Sequence, residues 1–375
     1  MITSLQSSTP ALKAGVTIRS ISPELIALIP PRSGMEAALV LPATIRDIDI
    51  RALLRACDGR RKLPQLSSMS GLEIHELEEL LTRLQTKSLI NLTRTPIPYQ
   101  SRYNASTQKI ESVTDVELIP QDPAITAYLE RFEIESTAME LHPEVIDSGR
   151  ETILRRRDFS ILIFGFNRIA FQLGALLIAS GFANLRFINR RNPRDPLLRI
   201  SNIDITGNVF RRSDFGLQKF SQFAELCEDF SLFGKDTLHS QQEMKNVDLV
   251  ISTEPPTADQ IQRWMNEETT HLPIIYEVGG MVRIGPLVKP GKTPCLRCVE
   301  LTSSDGGESE LVADREVPSS LVALVSGIVA ADIANLSHSA QSVFWATTRR
   351  YSLRDYISPK EERWQTHPGC GCFWR

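Results

Sequence analysis

The sequence predicts an α/β protein in which an amino-terminal winged helix-turn-helix precedes a Rossmann-like domain with a four-cysteine zinc site. Three observations lead to this prediction. Short apolar runs and helical patterns fill residues 1–95, strands alternate with helices after residue 159, and four cysteines form two close pairs. We therefore expect a winged-helix domain at 1–95, a linker with short helices at 96–150 and a Rossmann-like domain with a carboxyl-terminal zinc site at 151–375.

Length and composition are typical of a globular protein of two or three domains. The chain has 375 residues, 42% apolar and 23% charged, and a net charge of −3, so neither general disorder nor a basic nucleic-acid-binding surface is expected. The first 15 residues lack the apolar core of a secretory signal. The apolar segment 319–336 contains Asp332 and is predicted to be a buried helix, because a bilayer span needs about 20 nearly uncharged residues. We expect a cytoplasmic protein without a nucleic-acid or membrane partner.

Hydrophobic periodicity predicts the elements of the amino-terminal domain. They are strands within 16–18, 25–29 and 37–41, helices at 45–57 and 72–87 with a short segment at 63–66 between them, and a strand at 89–92. Strands, three helices and a closing strand describe a winged helix-turn-helix. The last helix begins with four glutamates, which would face DNA phosphates in a major groove. We therefore expect no DNA recognition, and a zinc-containing transcription regulator ranks as the third functional hypothesis.

A Rossmann-type βαβ unit is predicted near the start of the second domain. A buried strand that ends at residue 164 runs into Gly165, and a helix and a second strand follow. Gly165 matches the first glycine of the dinucleotide-binding fingerprint, while Asn167 and Ala170 occupy the second and third positions. Asn189 follows the second strand, where an acidic residue would bind ribose hydroxyls. The pattern indicates the fold more than it indicates a bound nucleotide.

Other polar residues of this domain could contact Mg-ATP. The candidate contacts, including the first glycine of the fingerprint, are Gly165, Asn208, Arg211, Lys219 and Glu254. Asn208, Arg211 and Lys219 could hold a triphosphate through charge and hydrogen bonds, and Glu254 at a strand end could hold Mg²⁺. The alternatives are a solvated basic surface, since several arginines lie nearby in the sequence, and an ordinary loop carboxylate.

The cysteines predict a metal site. Cys57 and Cys227 stand alone in apolar surroundings and are expected to be buried thiols. The other four form two pairs that lie far apart in sequence: Cys295 with Cys298, and Cys370 with Cys372. Two such pairs can surround one Zn²⁺ with four thiolates, whereas disulfides are disfavoured in a reducing compartment and a redox pair needs no distant second pair. We expect a closed, structural zinc site, with His367 as the alternative fourth ligand.

Two stretches of the sequence resemble a known family. Residues 285–301 read GPLVKPGKTPCLRCVEL, and residues 367–372 read HPGCGC. With the Rossmann-type unit, they resemble the ThiF-like superfamily of ubiquitin-activating-type adenylating enzymes. The match is closest to the leader-peptide-binding partners of YcaO cyclodehydratases, which serve the biosynthesis of azole-containing, bacteriocin-type peptides made on the ribosome (RiPPs). The stretch 58–63, DGRRKL, with its flanking helices looks like the winged-helix element that recognises precursor peptides.

The resemblance also implies how ATP is used. In the adenylating members, an Asn-x-x-Arg and a following Gly-x-x-Lys hold the ATP phosphates. The matching positions in this chain are Asn208, Arg211, Gly216 and Lys219. Adenylating members have a complete glycine motif and acidic residues after two strands, whereas this chain has Asn167, Asn189 and Glu254. In the azole-forming branch the resemblance therefore implies that a YcaO partner uses the ATP, while this chain delivers the substrate; the superfamily also suggests a homodimer.

The expected function is to bind the leader of a ribosomally made precursor peptide and present it to a YcaO-type cyclodehydratase for azoline or azole formation. An exposed edge of the strand expected at 37–41 could accept the leader as an added strand beside the helix at 73–87. The candidate peptide contacts are Ala37, Leu39, Leu41, Arg83 and Lys87. The last two could meet acidic leader residues, or could simply form a solvated helix end. The alternative hypothesis is an enzyme that adenylates a peptide carboxylate or amide with ATP.

Overall fold

The computed structural model contains two compact units, Met1–Leu154 and Arg155–Arg375. It describes residues 8–13, 15–31, 33–93, 102–104, 109–111, 123–140, 142, 145, 149–189, 191–192, 194–206, 209–230, 238–240, 247–277, 279–303 and 317–372. Each unit has its own cluster of buried apolar side chains and is described separately.

The first unit consists of short strands and helices. In chain order they are Thr9–Leu12 (β1), Thr17–Ser20 (β2), Leu25–Ile29 (β3), Leu39–Pro42 (β4), Thr44–Ile45 (β5), Ile48–Asp49 (β6), Ile50–Ala56 (α1), Leu63–Ser70 (α2), Ile74–Thr86 (α3), Ile90–Thr93 (β7), Arg102–Asn104 (β8), Lys109–Glu111 (β9), Pro123–Arg131 (α4) and Glu133–Glu140 (α5). Helix Arg150–Asp158 (α6) contains the boundary between the units. An antiparallel sheet has the order β2-β3-β4, and separate two-stranded pairs join β1 to β7, β5 to β6 and β8 to β9.

The core of the first unit contains side chains of the three-stranded sheet and of helices α1 to α3. Ile26 and Leu28 of β3 and Leu41 of β4 belong to the same buried cluster as Leu53 of α1 and Leu80 of α3. Alternate residues of a strand share one face, so the residues between them lie on the opposite face of the sheet. The helices therefore cover one face of this sheet, and the other face is outside the cluster.

Some boundaries in the first unit differ from the sequence prediction. The strand expected at 37–41 begins at Leu39, and Ala37 lies in a 3₁₀ turn, Met35–Ala37. The helix expected at 45–57 begins at Ile50, because the preceding residues form the β5–β6 hairpin and Asp49 accepts a hydrogen bond from the Arg51 amide at the helix start. Strand β1 was not expected; its partner β7 lies far away in sequence, so local periodicity does not show it. The winged-helix description of this unit stays a prediction.

The second unit is built on an eight-stranded sheet. Its elements are Ser160–Phe164 (β10), Arg168–Ala179 (α7), Asn184–Ile188 (β11), Lys219–Phe230 (α8), Leu238–Ser240 (β12), Leu249–Ser252 (β13), Ala258–Asn266 (α9), His271–Glu277 (β14), Met281–Ile284 (β15), Leu296–Thr302 (α10), Ser319–Ser339 (α11), Thr347–Tyr351 (β16) and Lys360–Arg363 (β17). The strand order is β12-β11-β10-β13-β14-β15-β16-β17. The first five strands are parallel and the last three are antiparallel to their neighbours. The predicted α/β architecture around a central sheet is confirmed.

The long apolar helix α11 belongs to the core of the second unit. It packs against α7, and its buried side chains include Leu321, Val325 and Ile333. By length and composition it is the one described helix that could cross a membrane, but half of its apolar window is buried inside the protein. Asp332 is buried and accepts hydrogen bonds from the Ser342 hydroxyl and the Val343 amide. The interior carboxylate thus anchors the turn that follows the helix.

Candidate functional site

Four cysteine side chains meet in the second unit. The Sγ atoms of Cys295, Cys298, Cys370 and Cys372 all lie within 4.8 Å of one another. The Sγ of Cys295 lies 3.8 Å from that of Cys298 and 3.4 Å from that of Cys370. A tetrahedral Zn²⁺ with bonds of about 2.3 Å has sulfur–sulfur edges of about 3.8 Å, which is close to these distances. The four cysteines could therefore bind one metal ion.

Local structure brings each cysteine pair to this position. Cys295 immediately precedes α10 and Cys298 lies in its first turn, so both thiols are at one end of a short helix. In the second pair, the Cys370 amide donates to the carbonyl of His367 and closes a tight turn. The ring Nδ1 of His367 accepts a hydrogen bond from the Gly369 amide at 3.1 Å, and His367 is not among the clustered ligand atoms of the described residues.

The thiols of this group differ in acidity. Burial raises the pKa of Cys295. Burial also acts to raise the pKa of Cys298, but hydrogen bonds with the His367 backbone and with the Cys372 side chain outweigh it and lower that pKa. The two isolated cysteines, Cys57 and Cys227, are buried elsewhere, and burial raises the pKa of each to about 12, as expected for inert thiols.

The turn between β10 and α7 has the geometry of a nucleotide-binding loop, but an asparagine side chain occupies it. Gly165 has φ of +112°, and a β-carbon there would collide with Oγ1 of Thr253, so only glycine fits. Asn167 caps α7: its Oδ1 accepts a hydrogen bond from the Ala170 amide at 3.1 Å, and its Nδ2 donates to the Thr253 carbonyl at 2.8 Å. The side chain therefore binds the helix terminus that a phosphate would bind in a nucleotide site.

Lys219, a predicted phosphate contact, forms a buried ion pair. Its Nζ lies 2.7 Å from Oδ1 of Asp204, and the Lys219 and Asp204 side chains are 5% and 2% exposed. The other carboxylate oxygen of Asp204 accepts hydrogen bonds from the amide and hydroxyl of Ser201. The carboxylate of Asp204 neutralises the charge of this ammonium, which weakens its attraction for a phosphate.

The remaining predicted ATP contacts do not converge on one point. Glu254 follows β13 and lines a cavity with Asn167 and Lys219. Arg211 is exposed at the start of a 3₁₀ turn and is not among the residues lining that cavity. Asn208 lies outside the described residues. The structure thus brings Gly165, Glu254 and Lys219 to the same region and leaves Arg211 apart.

The cavity that the described residues form at this end of the sheet is small. Its volume is about 110 Å³, whereas small-molecule sites usually have about 300–1,000 Å³. Three cations line it among the described residues, and each has a partner: Arg191 binds Asp195, Arg199 donates to the Gly216 carbonyl, and Lys219 binds Asp204. Asn189 stands where the dinucleotide-binding fingerprint has an acidic residue for the ribose. Its side chain hydrogen-bonds to the backbone of Arg191.

Strand β4 has an open hydrogen-bonding edge. It is the last strand of the β2-β3-β4 sheet, and no described strand pairs with its other side. The Ala43 amide donates to the Glu24 carbonyl of the preceding strand region, and the same register pairs Leu41 with Ile26 and Leu39 with Leu28. Hydrogen-bonded pairs alternate in an antiparallel ladder, so the N–H and C=O of Val40 and the C=O of Pro42 point away from β3.

Some of the predicted peptide contacts around this edge are buried side chains, and the others are exposed. Leu41 is 1% exposed and packs into the core, and Leu39 is half-buried on the same face, so neither presents a free side chain. Val40 is 44% exposed. Arg83 and Lys87 are exposed at the end of α3. The backbone of β4, rather than its buried leucines, is therefore available for contacts.

Sequence reasoning missed two residues that shape these sites. Val40 lies between the two predicted leucines, and the apolar alternation of the strand could have marked it as the outward residue. Asp204 neutralises Lys219 across a turn-rich segment, and no local pattern of spacing indicates that pair. The sequence thus contains a signal for Val40 but none for the pairing of Asp204 with Lys219.

Comparisons with known proteins show what this fold is similar to. No protein-family model and no curated protein matches the chain. A crystal structure of E. coli MccB with MccA-N7isoAsn aligns with a TM-score of 0.60 at 12% identity over 98% of this chain and 99% of that chain. A crystal structure of PaaA aligns with a TM-score of 0.59 at 15% identity over 94% and 100% of the two chains. E. coli MccB with ATP aligns with a TM-score of 0.57 at 12% identity, over 98% and 99%. Similarity at these low identities shows a shared fold.

Proposed function

We propose that this chain binds the leader of a ribosomally made precursor peptide along the open edge of β4 and presents the peptide to a YcaO-type cyclodehydratase for azoline or azole formation. The observation that carries the proposal is an edge strand whose outer side pairs with no strand in the described part of the chain and whose residues, Leu39-Val40-Leu41-Pro42, include no charge. An unprotected apolar edge is a template for pairing with another chain.

The edge strands β4 and β17 differ in charge, which supports this assignment. Strand β17 ends the eight-stranded sheet with four consecutive charged residues, Lys360 to Arg363. Charges on an edge strand discourage pairing with other chains. Strand β4 carries no charge, so this form of protection does not operate at its open edge.

The geometry of β4 limits the kind of peptide it would hold. Its outward groups include the N–H and C=O of Val40 and the C=O of Pro42, and Pro42 has no N–H to donate. The ladder is therefore short, and the bound segment needs free N–H groups opposite these carbonyls. A short ladder gives modest affinity, so side-chain contacts must supply specificity, and we assign the contact with acidic leader residues to Arg83 and Lys87.

A leader-binding unit has a function only if the bound peptide reaches an active site. Holding the leader raises the local concentration of the core peptide at a partner enzyme, without any chemistry in this chain. The solved structures support a peptide-directed role for the fold, since MccB was crystallised with MccA-N7isoAsn. We further propose that the amino-terminal unit is a winged-helix recognition element and that the chain acts in the cytoplasm.

We propose zinc as the metal of the four-cysteine site. Four thiolates at tetrahedral spacing suit Zn²⁺ and leave no open coordination position. The ion would tie residues 370–372 of the carboxyl terminus to α10, and its role would be structural.

The alternative function is ATP-dependent adenylation of a peptide carboxylate or amide. The fold similarity to MccB crystallised with ATP favours it, and the buried Lys219–Asp204 pair argues against it. ATP–pyrophosphate exchange with the purified chain and its peptide separates the two functions. Exchange that disappears in Lys219→Ala would establish the enzyme and refute a purely binding role.

The proposal is tested by fluorescence anisotropy with labelled leader peptides of candidate precursors. Val40→Pro removes the outward N–H of β4, whereas Val40→Thr keeps it and serves as the matched control. We expect at least a tenfold loss of affinity for Val40→Pro and less than a threefold change for Val40→Thr. A leader series with single N-methylated residues gives an independent measurement that needs no protein variant. Equal binding of Val40→Pro and wild type, with no position sensitive to N-methylation, would refute docking at this edge.

A further inference from the structure

The sheet of β2, β3 and β4 has a second face, which lies outside the core of the first unit. Ile26, Leu28 and Leu41 point into that core, so their neighbours along each strand lie on the second face. An antiparallel sheet with one solvated face usually carries polar residues there. The residues of these strands on the second face, which we call the outer face, are Thr17, Arg19, Leu25, Ala27, Ile29, Val40 and Pro42, and Arg19 is the only charged one among them.

The apolar part of the outer face reaches the open edge of β4. The register places Leu25 of β3 beside Pro42 of β4. Leu25 and Val40 are 40% and 44% exposed, and Pro42 is also exposed. Ile21 follows β2, donates its N–H to the Leu25 carbonyl and is 48% exposed. Arg19 lies on β2, the strand farthest from the open edge. Apolar residues thus continue across the outer face from the turn after β2 to the edge of β4.

A strand added at this edge extends the outer face by one strand. Paired residues of neighbouring strands project their side chains to the same face, in parallel and in antiparallel sheets. The residue of the added strand opposite Val40 therefore lies beside the Val40 side chain, and a residue two positions away lies beside Pro42. The β-carbons of such cross-strand neighbours are about 4.5–5.5 Å apart, so their side chains are in contact.

The neighbours on the outer face determine which side chains suit these two positions. No outer-face residue of β3 or β4 is charged. A charged side chain beside Val40 and Pro42 would therefore lose part of its hydration without gaining a partner, whereas an apolar side chain would bury apolar surface of its own and of Val40. The acidic leader residues that we assigned to Arg83 and Lys87 belong to the opposite face, because α3 packs against that face.

We propose that the leader segment bound at β4 has apolar side chains opposite Val40 and opposite Pro42, and that the outer face selects the peptide by this alternating pattern. The inference rests on the proposed function, because it assigns the sequence pattern of the peptide that pairs with β4. A peptide in that position must place alternate side chains on the outer face. The occupant therefore follows from the backbone pairing itself and requires no separate partner.

The test uses the full chain and the labelled leader peptides that serve for Val40→Pro, with one leader residue changed at a time. Aspartate at the leader position opposite Val40 is expected to weaken binding by about fivefold or more, because the carboxylate adjoins apolar side chains. Val40→Asp should weaken binding of the unmodified leader to a similar extent. Thr17→Asp is the matched control, because it places the same charge on the outer face but on the strand farthest from the edge, and it should keep wild-type affinity.

An arginine scan of the leader identifies the residue opposite Val40. In Val40→Asp, arginine at that one position should restore the affinity by about threefold, since opposite charges directly across a strand pair attract each other. The same arginine should weaken binding to the wild-type chain. The leader substitutions test the pattern without any protein variant, and the thermal midpoint of Val40→Asp shows whether its fold is retained.

Three outcomes would overturn the assignment. Loss of binding in Val40→Pro, with full tolerance of aspartate along the leader and no rescue by arginine in Val40→Asp, would refute the outer-face pattern and leave docking at β4 intact. Leader binding that is insensitive to both Val40→Pro and Val40→Asp would refute the proposed function itself. A wild-type dimer that becomes a monomer in Val40→Asp would show that a second copy covers the outer face. Rescue at a single leader position supports both proposals.

Discussion

The Nζ of Lys219 lies 2.7 Å from Oδ1 of Asp204, and both side chains are almost completely buried. The sequence analysis predicts this lysine to be a phosphate contact, and the structure pairs it with a carboxylate of the same chain instead. The first prediction follows from the cost of separating buried charges.

Asp204→Asn is expected to destabilise the second unit by about 3–5 kcal/mol, because it leaves a buried ammonium without this carboxylate. Lys219→Met combined with Asp204→Asn is expected to recover part of the loss, since neither charge then remains buried. Urea unfolding followed by tryptophan fluorescence measures both. Equal stability of Asp204→Asn and wild type would show that the pair contributes nothing, and the lysine would again be a candidate for phosphate binding.

Asn167→Ala is expected to cost about 1–2 kcal/mol, because it removes the cap of α7 and the hydrogen bond to the Thr253 carbonyl. Asn167→Asp is the control: it keeps the acceptor for the Ala170 amide but cannot donate to Thr253, so its loss should be smaller. Asn167→Gly restores the glycine of the nucleotide fingerprint and should still show no ATP binding in calorimetric titration. Binding of ATP by that variant would show that Asn167 alone blocks the site.

The four-cysteine site predicts one bound zinc ion per chain, which a double substitution should remove. Replacing Cys295 and Cys298 with Ser is expected to eliminate one zinc per chain and to lower the thermal midpoint, since metal binding is coupled to folding. Cys227→Ala is the matched control, because that thiol is buried apart from the cluster. Metal analysis of the purified proteins decides the question: zinc retained by the double variant, or lost by the control, would contradict the assignment.

Burial of His271 predicts that the folded protein loses stability in acid. Burial lowers its pKa to about 4, with a smaller opposing effect from its hydrogen bond to the Thr269 carbonyl. Because the unfolded residue titrates near 6.5, unfolding takes up a proton between these values, and the folded protein loses stability as the pH falls from about 6.5 to about 4. The full effect is about 3 kcal/mol for a shift of this size. Unfolding curves at pH 7 and pH 4.5 measure it.

His271→Asn is the control for this pH dependence, since asparagine can donate to the Thr269 carbonyl but does not titrate. The variant should be less stable than wild type at pH 7 and should lose less stability between pH 7 and pH 4.5. An equal loss in both proteins would assign the acid sensitivity to other groups.

The periodic elements and the cysteine pairs could be predicted from the sequence for a local reason. An apolar stripe such as that of α3 repeats within one helix, and strand β10 is an almost continuous apolar run. Each pattern therefore predicts the type of its own element. The short spacing within Cys295–Cys298 and Cys370–Cys372 limits where those thiols can point. These two spacings therefore predict the sulfur cluster from the sequence alone.

The tertiary structure alone decided which strand edge is open and which charges are free. The β4 edge is open because β3 pairs with it on one side only, and β1, which could have been a neighbour, pairs with β7 instead. Likewise Lys219 is neutralised because folding packs a turn containing Asp204 against the start of α8. Pairing and burial join residues that no repeat or motif relates, so the sequence determined the elements, and long-range packing determined which of their polar groups remain available to a ligand.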